Sequence, residues 1–174
     1  MTTFFTADTH FGHANIIKYC HRPFGSAAKM DHELIRRWNS VVGDNDIVWH
    51  LGDFCFGNES KAKWYLDKLR GRIGLIWGNH DSNSVRDMPE WTFSGPYREI
   101  NLDGQHITLC HYALRVWNRS HYGSLSLFGH THGTLAGNQQ SVDVGVDYPA
   151  WNYTPITLNQ ITEHLKTLQP RTKE

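Results

Sequence analysis

Short apolar, β-prone runs in this chain repeatedly break off at residues that bind metal ions, and this feature most constrains its fold. Thr2–Ala7 stops at Asp8-Thr9-His10, Asp46–Leu51 at Gly52-Asp53, and Ile73–Trp77 at Gly78-Asn79-His80-Asp81. His106–Cys110 stops at a lone His111, and Leu125–Phe128 at Gly129-His130-Thr131-His132. A chain that delivers such side chains at the ends of successive strands is expected to gather them at one edge of a sheet, where open α/β folds place their ligands. The donors are oxygen and imidazole nitrogen without thiolate, a set that suits Mn, Fe, Ni or Zn rather than an iron–sulfur cluster. A carboxylate such as Asp53 can bridge two cations, and paired cations are a recurring device for attack at phosphorus.

The rest of the chain is organised around these strings. Met30–Val42 carries Leu34, Ile35, Trp38, Val41 and Val42 at helical spacing before Gly43. Glu59–Leu69 reads as a second helix with Trp64, Tyr65, Leu66 and Leu69 on its apolar face, and Asn159–Leu168 as a closing one. Arg98–Leu102 and Ser141–Val146 add strands. Strands alternate with helices early and follow one another late, which predicts an α/β architecture of two packed sheets with helices outside. Glycines 12, 52, 78 and 129 are expected to let the backbone turn sharply at the motifs. At 174 residues the chain reads as a single domain over 1–168 with a short polar tail at 169–174.

Seventeen basic residues balance seventeen acidic ones, so no global field draws in a polyanion and long nucleic acid is not the expected partner. The three cysteines, Cys20, Cys55 and Cys110, lack C-x-x-C spacing and read as reduced. Cys55 and Cys110 stand close to ligand strings but are not expected to bind metal. Met1–Thr6 lacks the basic start and long apolar core of a signal peptide, and no apolar run is long enough to span a membrane. A cytoplasmic protein is expected.

The order D-x-H, G-D, G-N-H-D, lone His, G-H-T-H resembles the calcineurin-like metallophosphoesterase superfamily, over Thr3 to about Pro155. The opening Ala7-Asp8-Thr9-His10-Phe11-Gly12-His13-Ala14-Asn15-Ile16-Ile17, with His21-Arg22-Pro23-Phe24 after it, resembles small stand-alone phosphoesterases of bacteria and phages. The resemblance implies a four-layer α/β/β/α sandwich and two divalent ions, with manganese favoured. Asp8, His10 and His132 would hold the first ion, Asn79, His111 and His130 the second, and Asp53 would be shared. It further implies a metal-bridging hydroxide as nucleophile and His80 as general acid, with Asp81 orienting the imidazole. Taken singly, each of these residues has a plainer reading, as a cap, a turn residue or a surface histidine; their joint order is what outweighs it.

Three further residues are expected to touch substrate. Arg22 and Arg115 carry guanidinium forks suited to phosphate oxygens, with a surface salt bridge as the alternative. His13 follows the first string closely enough to touch phosphate or support a ligand. His50 reads as a packed core histidine, and Trp38 and Trp64 as core. Trp117 and Trp151 could stack on a base, although packing is the plainer expectation. The reading is therefore a dimetal phosphoester hydrolase acting on small phosphodiesters or nucleotide-like phosphates. The rivals are a nuclease and a non-catalytic protein-binding module of the same fold. Oligomeric state and the metal that is native are not legible.

Overall fold

The computed structural model describes residues 1–172. Residues 173 and 174 of the expected polar tail lie outside them. The tail's start is tied to the body: Gln169 accepts the Gln139 N–H at 3.0 Å, and the Arg171 guanidinium lies 4.6 Å from the Trp117 ring centroid.

Two mixed sheets pack together, flanked by helices. The first has the order β4-β3-β2-β1-β9, formed by Phe93–Gly95, Arg72–Ile76, Ile47–His50, Thr3–Thr6 and Ile156–Thr157. Its first four strands run parallel, and β9 pairs antiparallel with β1. The second has the order β5-β6-β7-β8, formed by Tyr97–Leu102, Gln105–Cys110, Leu125–Phe128 and Ser141–Asp143. There β5 and β6 form an antiparallel pair, while β6, β7 and β8 run parallel.

Strand alternation divides the core. Phe4, Val48, Ile73 and Leu75 face Met30, Leu34 and Trp38 of α2 (Ala27–Val41) and Ala62 and Tyr65 of α3 (Glu59–Leu66). Phe5, Leu51 and Ile76 point the other way, against Ile107, Leu109, Leu125, Leu127 and Val142 of the second sheet. Ile161 and Leu165 of α5 (Leu158–Leu165) join that inter-sheet cluster. Burying both faces of a parallel sheet explains why its strands read as apolar runs with little polar alternation.

Two short helices, α1 (Ala14–Tyr19) and α4 (Asn83–Arg86), and the strands β4 and β9 were not evident from periodicity. Each is too short for a hydrophobic repeat to accumulate. Trp64 is a correction: it is 54% exposed, with the Lys68 ammonium 4.3 Å from its ring centroid. Successive helical residues are rotated by about 100°, so Trp64 and Tyr65 cannot both face the core, and the Ala62–Tyr65 stripe takes it. Among the described residues no helix is long and apolar enough to cross a membrane.

Candidate metal centre

The parallel strands β1, β2 and β3 end side by side, and their loops are stitched by the backbone. Asp8 N–H donates to Gly52 O and His10 N–H to Asp53 O, both at 3.0 Å, and His80 N–H donates to the Asp53 carboxylate at 2.8 Å. From the second sheet, Gly129 N–H donates to His111 O at 3.0 Å, and His130 N–H reaches Asp8 Oδ2 at 2.9 Å. Residues from both sheets thus meet at one edge.

Close approach, more than turning, explains the motif glycines. Gly52 does adopt φ +92°, but a Cβ at Gly78 would sit 2.2 Å from Asp53 Oδ1 with no left-handed φ involved. The expectation that all four glycines serve sharp turning is corrected on this point: Gly12 and Gly52 are left-handed, whereas Gly78 and Gly129 make room for neighbouring carboxylates. The strain falls elsewhere. Asp8, His10, Asp53, His130 and His132 all have φ between 48° and 68°. Left-handed backbone outside glycine costs on the order of 1–3 kcal/mol per residue and persists where surroundings enforce it, often at functional sites. Five of the seven expected ligands share this conformation, so the strain is concentrated where the chemistry is expected.

Two ligand sets converge. The donor atoms of Asp8, His10 and His132 lie within 4.8 Å of one another, as do those of Asp53, His111 and His130. Asp53 Oδ2 stands between the sets, 3.5 Å from His10 Nε2 and 3.6 Å from His111 Nε2. Asn79 Oδ1 lies 3.0 Å from His111 Nε2. Asp8, His10, Asp53 and His111 form a buried floor, while Asn79 and His130 are exposed at its rim.

Hydrogen bonds behind the imidazoles aim them. His111 Nδ1–H donates to Leu51 O at 2.7 Å, leaving Nε2 to face Asn79 and Asp53. His132 Nδ1–H donates to Asp147 Oδ2 at 2.7 Å, which likewise fixes how that ring presents its Nε2. A carboxylate or carbonyl behind a ligating histidine is the usual way its tautomer and orientation are set. Burial opposes a charge on His132, yet its hydrogen bond to Asp147, with Cys20 and Asp8 nearby, raises the ring's pKa to about 10.

Do these residues fit a cation pair? Asp8 Oδ1 and His10 Nε2 are buried without a hydrogen-bond partner. Burial lifts the Asp8 carboxyl well above the usual range; His132 opposes this, and Asp143 and Asp53 add to it. A buried polar atom without a partner is costly, and a cation would satisfy both orphans at once. The residues fit.

Other expected site residues are placed differently. Arg22 is the clearest correction. Its side chain is fully buried and does not face the site's open side. Nε and one terminal nitrogen fork the Asp147 carboxylate at 2.8 and 2.7 Å, and the terminal nitrogens donate to Asp8 O and Thr9 O. A guanidinium committed in this way braces the first ligand loop and has no fork left for phosphate. Asp81 is the second correction: its carboxylate accepts the N–H groups of Asp53, Gly78 and Phe54 at 2.8–2.9 Å. It clasps two ligand loops together and does not orient His80. Burial nonetheless pushes its carboxyl above the ordinary value.

His80 is exposed, with its ring centroid 5.4 Å from that of His10. His13 is half-buried beside the site, 5.4 Å from His10 and 6.5 Å from His80. Arg115 is exposed on the segment after His111, its carbonyl accepting from Arg171. His50 is buried against Thr9 Oγ1 at 2.9 Å, as its strand position predicts. Trp117 and Trp151 are buried and donate to Ser124 O and Asp143 O, which is the packing role. Of the cysteines, Cys20 comes nearest, grouped with His132 and Asp147, while burial pushes the Cys55 thiol up to about 12.

Asp147 escaped the sequence reading. Its signal was faint: a second aspartate four residues after Asp143, in Asp143-Val144-Gly145-Val146-Asp147. Both carboxylates support the last ligand string, Asp143 by accepting the Thr131 hydroxyl at 2.6 Å and the Gly133 N–H at 2.9 Å.

The profile of the calcineurin-like phosphoesterase superfamily domain matches residues 1–146. The chain belongs to this family. It is thus a metallophosphoesterase, an enzyme of a divalent-metal-dependent class that hydrolyses phosphoesters. It is 35% identical to an uncharacterized protein of Methanocaldococcus jannaschii, across 90% of this chain and 87% of that one. Among solved structures, a protein of unknown function from Aquifex aeolicus superposes with TM-score 0.70 at 24% identity, covering 94% of this chain and 98% of that one. A novel archaeal phosphodiesterase superposes with TM-score 0.52 at 17% identity, covering 83% and 82%. At those identities the two structures speak for the shared fold.

Proposed function

We propose that this metallophosphoesterase hydrolyses small phosphodiesters or nucleotide-like phosphates at a two-cation centre. Asp8, His10 and His132 would hold one ion, Asn79, His111 and His130 the other, and Asp53 both. The observation that carries this reading is the pair of three-residue ligand sets meeting across Asp53 Oδ2, with Asp8 Oδ1 and His10 Nε2 unpartnered beneath. Cations bound in such a site polarise phosphoryl oxygens and lower the pKa of water towards neutrality. Manganese is the favoured occupant, in keeping with a donor set of oxygen and imidazole.

The chain's own residues supply the rest. The exposed His80 gives a proton to the departing oxygen, and the exchange of protons with solvent at this rim position resets it. The Arg22–Asp147–His132 chain holds one ligand's orientation, and Asp81 holds the Asp53 and Gly78 loops in register. Diester preference is supported by the commitment of Arg22, since a dianionic monoester would need more positive charge than a monoanionic diester. Arg115 and His13 remain the proposed phosphate contacts. The balanced net charge argues against long nucleic acid as substrate. Three unpaired cysteines agree with a reducing, cytoplasmic setting.

The test is His80→Ala assayed on diesters with poor and good leaving groups. Turnover of an alkyl-leaving diester should fall roughly 10²–10⁴-fold, with much smaller loss for nitrophenolate and with metal content kept. An equal penalty for both leaving groups would remove His80 from the acid role.

A further inference from the structure

The His80 side of the centre carries an apolar surface that the proposed chemistry does not use. Phe56 is 55% exposed and stacks on the His13 ring, with centroids 4.7 Å apart and planes inclined by 13°. His13 in turn lies 5.4 Å from His10 and 6.5 Å from His80. Phe56 is held there by its backbone: its N–H donates to Phe11 O at 2.8 Å, next to the Phe11–Cys55 bridge that joins the first two ligand loops. An exposed phenyl ring on a pinned backbone one imidazole away from metal ligands is a rigid, half-open stacking face. Two further aromatics are exposed nearby: Tyr112, whose ring contacts are to His111 and His130, and Tyr19, which meets the His13 ring edge-on with centroids 6.4 Å apart and so does not offer a parallel face there.

We propose that Phe56, backed by His13, is the stacking platform for a planar ring carried by the leaving alcohol, with a nucleobase as the fitting chemistry. This deepens the phosphodiesterase reading and rests on it. During hydrolysis water's oxygen bonds to phosphorus, the P–O bond to the leaving alcohol breaks, and His80 protonates that oxygen. The leaving group therefore departs on the His10–His13–His80 side, and the partly exposed Phe56 ring lies next to His13 there. A nucleoside whose 5′ oxygen sits at His80 extends its base one sugar away, towards that ring. Aromatic faces accept any base, so the site selects for a planar group more than for base identity.

The experiment compares two methyl phosphodiesters with manganese present. One is the methyl ester of adenosine 5′-monophosphate, and the other has methyl riboside in place of adenosine. The wild type should favour the base-bearing diester and release adenosine with methyl phosphate. Phe56→Ala should collapse that preference roughly 5- to 100-fold, mainly through KM. Phe56→Tyr, which keeps the ring, should restore it. Calorimetry with adenosine gives a readout without turnover, in which binding should be seen in the wild type and Phe56→Tyr and lost in Phe56→Ala. A preference that survives in Phe56→Ala, or release of methanol with adenosine 5′-monophosphate, would overturn the platform. Failure of the wild type to hydrolyse either diester would instead sink the phosphodiesterase reading, and the adenosine titration would still decide whether Phe56 binds a base.

Discussion

A single guanidinium shows how far the role of a residue departs from its type. Arg22 looks like a phosphate grip in the sequence, yet its donors meet Asp147, Asp8 O and Thr9 O inside the protein. A buried ion pair broken on one side leaves the other charge stranded, at a cost of about 3–5 kcal/mol. Arg22→Met should therefore lower unfolding free energy by about that amount in urea, because the Asp147 carboxylate keeps only His132 as partner. A variant of unchanged stability with a raised KM would return Arg22 to substrate binding. Asp147 ties the same network to His132, and removing the partner behind a ligating histidine typically costs about 10–100-fold in metal affinity.

At the scale of elements, strand ends decide what is buried beside the metals. His50 closes β2 and is wholly enclosed, with its Nδ1 unpartnered. The Thr9 hydroxyl donates to Phe54 O at 2.7 Å, so its oxygen is left to accept from His50 Nε2–H, and the ring is neutral. Burial lowers its pKa to about 3, against an ordinary 6.5, with the nearby His111 adding to the effect. Below pH 6.5 the unfolded chain takes up a proton that the native ring refuses until about pH 3. Stability from this group is thus complete above pH 6.5 and declines as the pH falls through that window. At pH 5.5 the loss is about 1.4 kcal/mol, or roughly 3–6 °C in Tm for a domain of this size. Between pH 7.5 and 5.5, metal-free His50→Leu should lose about 1.4 kcal/mol less in thermal unfolding than the metal-free wild type. His10, which burial keeps neutral, and His132, which Asp147 keeps charged, respond to pH in both proteins and cancel in that difference.

For the whole molecule, the centre is a stability element as well as a reactive one. Asp8, Asp53 and Asp143 are buried near one another, and the charges of the latter two push the Asp8 carboxyl further up. A ligand that binds only the native state at 100 times its Kd adds about 2.7 kcal/mol. Chelation should accordingly lower Tm by roughly 5–11 °C relative to saturating manganese. Readdition of the metal should restore it. If Tm were indifferent to chelator and to added divalent ions, the two-cation reading would fail, because no tight binding to the native state would exist.

The sequence alone determined the order of the ligand strings and the apolar runs that lead into them. Metal chemistry admits few residue types, and a parallel strand buried on both faces stays apolar throughout, so both leave a local trace. It also determined that His50 and Trp38 are internal, because each lies within an apolar run or stripe. What a side chain at a loop end touches left no such trace. Trp64 turned outward because its neighbour held the stripe, and Asp81 turned from His80 to three backbone N–H groups. Arg22 found Asp147 across 125 positions of chain. Such pairings depend on how two sheets bring distant loops to one edge, and only the tertiary structure decides that.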